Sequence, residues 1–110
     1  SGRSIRLVTA PVFLATKLEA FHGRGPSDIR LSHDLEDLMA VLDGRASLVD
    51  ECRLSPQHLQ AYLAKQFAAL LATAAFIEAL PCFLPPDPAS QQRLPELEQT
   101  LRSIVDLGVR

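Results

Sequence analysis

Apolar residues recur along most of this chain at the spacings of three and four that one face of a helix requires. From Pro11 the pattern runs Phe13, Leu14, Leu18, Phe21 and stops at Gly23. This predicts a helix over 11–22, with a proline in its first turn and a glycine at its end. A second helix is predicted over 32–43, with Ser32 as its N-cap and Gly44 just past its end. Leu35, Leu38, Val41 and Leu42 define its apolar side. A short helix over 46–53 follows. Ser55 and Pro56 then read as cap and first helical position of a long helix over 56–72, which carries Leu59, Leu63, Phe67 and Leu70. Thr73 separates it from a piece over 74–80, and "PCFLPPDP" (81–88) reads as a rigid turn. Asp87 and Pro88 cap a last helix over 88–107, built on Leu94, Leu97, Leu101, Ile104 and Val105.

Only residues 4–9, "SIRLVT", alternate in the manner of a strand. A lone strand cannot satisfy its own backbone. It therefore needs a partner, either a second copy of the chain or an N-terminal sheet domain. The expected fold is mainly α: a bundle of four to six helices with one short N-terminal strand, in a single domain over 1–110.

Composition agrees with this pattern and narrows the function classes. Hydrophobic residues make up 47% and charged residues 22%, so a folded domain is expected rather than a disordered one. Aromatics are 5% with no tryptophan, so the core must rest on Leu, Ala, Val and Ile. The formal charge of −2 gives no global field to attract nucleic acid, which leaves only a local patch such as the loop holding Arg24 and Arg30. Cys52 and Cys82 lack metal-ligand spacing and read as free, mostly buried thiols. No apolar run approaches the ~18 residues of a membrane span. "SGRSIRLV" also lacks the apolar core of a signal peptide. The expected location is the cytosol.

Two charges sit where helical periodicity asks for apolar residues. At roughly 100° per residue, Lys17 falls inside the stripe of Leu14, Leu18 and Phe21, four residues from Phe13 and four from Phe21. Asp34 falls inside the apolar arc of the second helix, four before Leu38, and Asp37 lies at its rim. Glu19, Glu36 and Asp43 face away. Two readings compete. The carboxylates can simply serve the helix N-terminus and its dipole while Lys17 snorkels to water. Alternatively, Lys17 pairs with Asp34 or Asp37 across the helical hairpin, at the edge of a cleft. Desolvation can cancel the Coulomb gain of a buried pair, so such a pair points to a site better than to stability.

Other constellations are weaker. Cys52 with His58 or His33 lacks the third group that a thiol nucleophile needs. His22, His33 and His58 lack metal spacing. The loop "GRGPSDIR" can touch phosphates or can be a solvated connection.

"FLATKLEAFHGRG…SHDLEDLMAVLDGR" resembles the region that follows the catalytic strands in nucleotidyltransferase-like proteins of the AbiEii/AbiGii toxin type. Lys17, Ala20 and Arg24 match the first part of that pattern, and Asp34 and Asp37 the second, with His33 where the family often has a basic residue. The resemblance covers about residues 5–45, and the later helices are similar to the family's C-terminal helical part. It implies nucleotidyl transfer from a nucleoside triphosphate with Mg²⁺. There, a Gly-Ser turn and an Asp-x-Asp pair on an N-terminal sheet hold the metal ions. Neither motif occurs in these 110 residues. The resemblance therefore implies the C-terminal helical half of such a protein, a fragment or a natural short form, without catalytic competence or a cofactor of its own. In it Lys17, Arg24, Asp34 and Asp37 would support the site. A stand-alone helical interaction module that forms a homodimer is the alternative from a different class.

Overall fold

The computed structural model describes residues 9–23 and 33–108. They form α1 (Ala10–Gly23), α2 (His33–Gly44), α3 (Leu48–Arg53), α4 (Gln57–Leu71), α5 (Ala74–Ala79), a 3-10 turn (Leu80–Phe83), α6 (Pro88–Gln91) and α7 (Leu94–Leu107). The chain is mainly helical, and no strand occurs among the described residues. The expected strand over 4–9 lies outside them except for Thr9, which precedes α1 without joining a strand. Ser32, the expected cap of α2, also lies outside them.

The helices pack as their apolar periodicity requires. α4 lies along α7, and α1 packs against α2, α3 and α4. Leu14 and Leu18 of α1, Leu35, Leu38 and Met39 of α2, and Leu63 and Phe67 of α4 are fully buried, as are Leu101 and Ile104 of α7. One contiguous core holds them all. Truncating any of these leucines to alanine is of the class that costs about 2–5 kcal/mol.

The expected last helix is in fact two. Pro95 has no N–H to give the Gln91 carbonyl, and its ring collides with that group in a continuous helix. α6 therefore ends at Gln91 and α7 starts afresh at Leu94. Asp87 caps α6 as expected, accepting from the Ser90 N–H at 3.0 Å and from its hydroxyl at 2.9 Å. The proline-rich turn is partly the 3-10 turn, and it is pinned by Gln91. The amide of that residue donates to the carbonyls of Pro81 at 2.9 Å and Pro85 at 3.0 Å. Ser55 does not cap α4. Its hydroxyl donates to the Glu51 carbonyl at 2.9 Å, and Pro56 takes the cap position with no side-chain bond.

Gly44 is the last residue of α2, with an ordinary rather than left-handed backbone. Gly108, the C-cap of α7, is needed for space instead. A Cβ there would lie 2.3 Å from the Ala64 Cβ of α4. Two small residues thus set how closely the end of α7 approaches the middle of α4.

Candidate functional site

Lys17, Asp34 and Asp37 meet across the α1–α2 hairpin. α1 buries Leu14 and Leu18, which turns Lys17 toward α2 at the edge of the same face. The first turn of α2 places Asp34 and Asp37 one turn apart. The Lys17 Nζ lies 2.7 Å from an Asp37 carboxylate oxygen and 3.8 Å from one of Asp34. The Lys17 side chain is 25% exposed, that of Asp34 6% and that of Asp37 51%. The ammonium also lies 5.6 Å from the centre of the Phe13 ring, within cation–π range. The cluster grades from a buried carboxylate through a half-buried cation to a solvated carboxylate. Arg24, the fourth residue of the expected site, lies outside the described residues.

This arrangement does not suit a metal ion. An ammonium already lies within 2.7 Å of the Asp37 carboxylate and 3.8 Å of that of Asp34. Among the described residues no group of three or more His, Cys, Asp or Glu side chains is placed to hold a metal. A Mg²⁺ site requires several oxygen donors in near-octahedral array. What the cluster can do is hold α1 and α2 in register and present one cation beside a carboxylate.

Four further polar ties were not legible from spacing. Arg93 forks onto Asp43, with its Nε 3.0 Å and its Nη2 2.9 Å from the two carboxylate oxygens. Asp43, expected to face away, is therefore partly buried against the start of α7. The fork holds the Arg93 guanidinium above its ordinary pKa. Arg45 forks onto Glu51 at 2.6 and 3.0 Å, and the Ser47 hydroxyl donates to the same carboxylate at 2.6 Å. The Arg45 bond, then the Ser47 bond, keep the Glu51 carboxyl below its usual range. Glu19 is exposed as expected, yet it accepts from the Tyr62 hydroxyl of α4. Burial first, then that bond to Glu19, push Tyr62 up to about 12. Beside them the His22 Nε2 lies 2.5 Å from the Gln66 side-chain oxygen. None of these partners stands at a helical spacing from its mate except Ser47 and Glu51, so periodicity gives no signal for them.

The cleft between the α2–α3 turn and α7 has a volume of about 310 Å³, with Asp43, Arg45, Glu96 and Thr100 on its walls. Of its three charged side chains, Asp43 and Arg45 are forked to partners. The cysteines are both free, as expected, but differ in setting: Cys52 is buried and Cys82 exposed. Desolvation pushes the Cys52 thiol up to about 11, which suits a core residue and not a nucleophile. His33 and His58 are exposed, and His33 lies 3.2 Å from Glu36 of its own helix. No single helix among the described residues is long and apolar enough to cross a membrane. No protein family, curated protein or solved structure matches the chain.

Proposed function

We propose that this chain is the C-terminal helical half of a nucleotidyltransferase-like protein of the AbiEii/AbiGii type. In this reading Lys17, Asp34 and Asp37, with Arg24, order one wall of a nucleotide site. Residues 4–9 form a strand that joins an N-terminal catalytic sheet. That sheet would supply the metal ligands, because the chain's own carboxylates are already engaged with an ammonium. One observation supports the reading. Of the residues that carry the resemblance, Lys17 on α1 has its Nζ within 3.8 Å of the carboxylates of both Asp34 and Asp37 on α2. Their separation in sequence alone would not bring them together.

The test has two parts. Labelled nucleoside triphosphates with Mg²⁺ should give no transfer by the chain alone. Incorporation that survives purification to homogeneity would show that the chemistry resides elsewhere in these residues. Millimolar nucleotide should raise the melting temperature of the wild-type chain and not of Lys17→Met. Equal shifts in both proteins, or none in either, would remove Lys17 from any nucleotide site.

A second reading is a stand-alone helical interaction module that self-associates. It is favoured by two apolar side chains that stand exposed beside one groove, Leu54 at 86% and Val12 at 43%. Light scattering over a range of concentrations separates the two. Concentration-dependent dimerisation with no response to nucleotide selects the module.

A further inference from the structure

We propose that the cleft between the α2–α3 turn and the first turns of α7 binds a small organic cation, a guanidinium or primary ammonium on a short alkyl chain, with Glu96 as its anionic partner. The inference is independent of the nucleotidyltransferase reading. The cleft has a volume of about 310 Å³ and an apolar floor of Leu42, Leu48 and Leu97, each at most 3% exposed. That volume is at the small end of the range of ligand sites, about 300–1,000 Å³. It suits a short alkyl chain with one polar head.

The charge of that head follows from what the walls have left to offer. Asp43 is forked by Arg93 and Glu51 by Arg45, so these charges are spent within the protein. Glu96 is different. It is exposed, and among the described residues its carboxylate makes no hydrogen bond and no ion pair. It adds only the weakest pull on the Arg93 guanidinium, after Asp43 and Asp87. Asp43, Glu51, Asp87 and Glu96 thus share two guanidinium groups, an excess of two negative charges.

The hydrogen-bonding groups point the same way. Thr100 stands one turn after Glu96 on the same face of α7, and its hydroxyl donates to the Glu96 carbonyl at 3.0 Å. With its proton committed, the hydroxyl oxygen can only accept. At the end of α2 the Arg45 N–H closes on the Val41 carbonyl, and the Leu48 N–H on that of Arg45. The carbonyls of Leu42, Asp43 and Gly44 receive no hydrogen bond among the described residues, and all three residues line the cleft. They carry the negative end of the α2 dipole. Against these acceptors stand few open donors, the Ala46 N–H and one Arg45 amino group. A ligand that brings several N–H donors and a positive charge matches this inventory, and an anion does not.

Butylguanidinium, titrated into the nitrogen-15-labelled chain, should give saturable amide shifts at residues 42–49 and 96–100 with millimolar affinity. Butylurea, its neutral isostere, should bind at least about five-fold more weakly, because it lacks the charge. Glu96→Gln should weaken butylguanidinium binding by at least about five-fold, and Thr100→Val by at least about two-fold. Glu98→Gln removes the same charge from the same helix outside the lining of the cleft, and should leave the affinity unchanged. Glu96 is exposed, so its replacement keeps the fold, which the spectrum of the unliganded variant verifies. A tripeptide with a central arginine and capped ends distinguishes the sources of the cation. Tighter binding than butylguanidinium assigns the cleft to a side chain of a partner protein, and weaker binding to a free small molecule; either supports the site. Equal binding of butylguanidinium and butylurea, equal losses in Glu96→Gln and Glu98→Gln, or shifts centred elsewhere would overturn the proposal. So would the absence of saturable shifts up to about 50 mM butylguanidinium.

Discussion

Removing the Lys17 charge should matter because of Asp34, although Asp37 is the closer partner. The Lys17→Met change keeps the aliphatic stem beside Phe13 and deletes the ammonium. Two carboxylates then lose a partner, at 2.7 Å for Asp37 and 3.8 Å for Asp34. At an effective dielectric of ~20, two unit charges ~4 Å apart attract by about 4 kcal/mol before desolvation. Asp37 is half in water, where such pairs yield about 0.2–1 kcal/mol. Asp34 is almost wholly buried, where loss of a partner costs up to about 3–5 kcal/mol. Lys17 keeps a quarter of its side chain in solvent, so its pair with Asp34 falls between these regimes. A coupling of about 1–2 kcal/mol is expected for Lys17 with Asp34, and under about 1 kcal/mol for Lys17 with Asp37. Urea melts of Lys17→Met, Asp34→Asn, Asp37→Asn and the two doubles measure both terms. If the losses for Lys17 and Asp34 add to within about 0.5 kcal/mol, the pair is not coupled. Lys17 is then a snorkelling lysine beside an aspartate that serves only its helix. If the Asp37 coupling exceeds the Asp34 coupling, distance rather than burial governs the cluster, and the reasoning fails.

Three further outcomes follow from local geometry. Gly108→Ala should destabilise by about 1–3 kcal/mol through overpacking against Ala64, read as a lower urea midpoint. Gly44→Ala, which meets nothing within 4 Å and needs no left-handed backbone, should be neutral or stabilising, by up to about 1 kcal/mol. Tyr62 is raised in the folded state to about 12, above its ordinary value near 10. Its contribution is therefore fully present below pH ~10 and is lost as pH rises through about 12. Thermal melts from pH 9 to 12 should show this loss in the wild type and a shallower one in Tyr62→Phe.

Most of the helical layout was legible because burial of leucine imposes a spacing that sequence displays directly. Leu14 with Leu18, and Leu63 with Phe67 and Leu70, stand where the pattern puts them. The break between α6 and α7 was missed, because the run of Leu94, Leu97 and Leu101 masks the signal that Pro95 carries. A proline three residues past a cap is weighed correctly only when the carbonyl it displaces is considered. The Ser55 cap misled for the opposite reason. A serine before a proline looks like an N-cap, but its hydroxyl found the Glu51 carbonyl one turn back first. Lys17 and Asp34 were visible because each violates the periodicity of its own helix, and Asp37 stands at the rim one turn on from Asp34. Asp43 with Arg93 was not, because both sit where a charge is ordinary and fifty residues separate them.

The placement of these ties bears on why an aliphatic bundle tolerates charges near its core. Leucine and alanine surfaces interdigitate in several registers at similar energy, and this core has few aromatics to break that degeneracy. The fixed polar contacts lie at the seams between helices. Lys17 joins α1 to α2, Glu19 and His22 join α1 to α4, and Asp43 joins α2 to the start of α7. A one-turn slip of α1 would keep leucine against leucine but would separate Lys17 from both carboxylates and Glu19 from Tyr62. Each tie is worth little alone. Together they penalise the wrong registers by leaving a half-buried charge without its partner, which is the best-attested use of such groups. On this argument the Lys17 cluster has a structural task whether or not it also meets a nucleotide. Lys17→Met should then broaden the native state, seen as faster amide exchange along α1, even at temperatures where its melt is complete only well above the assay.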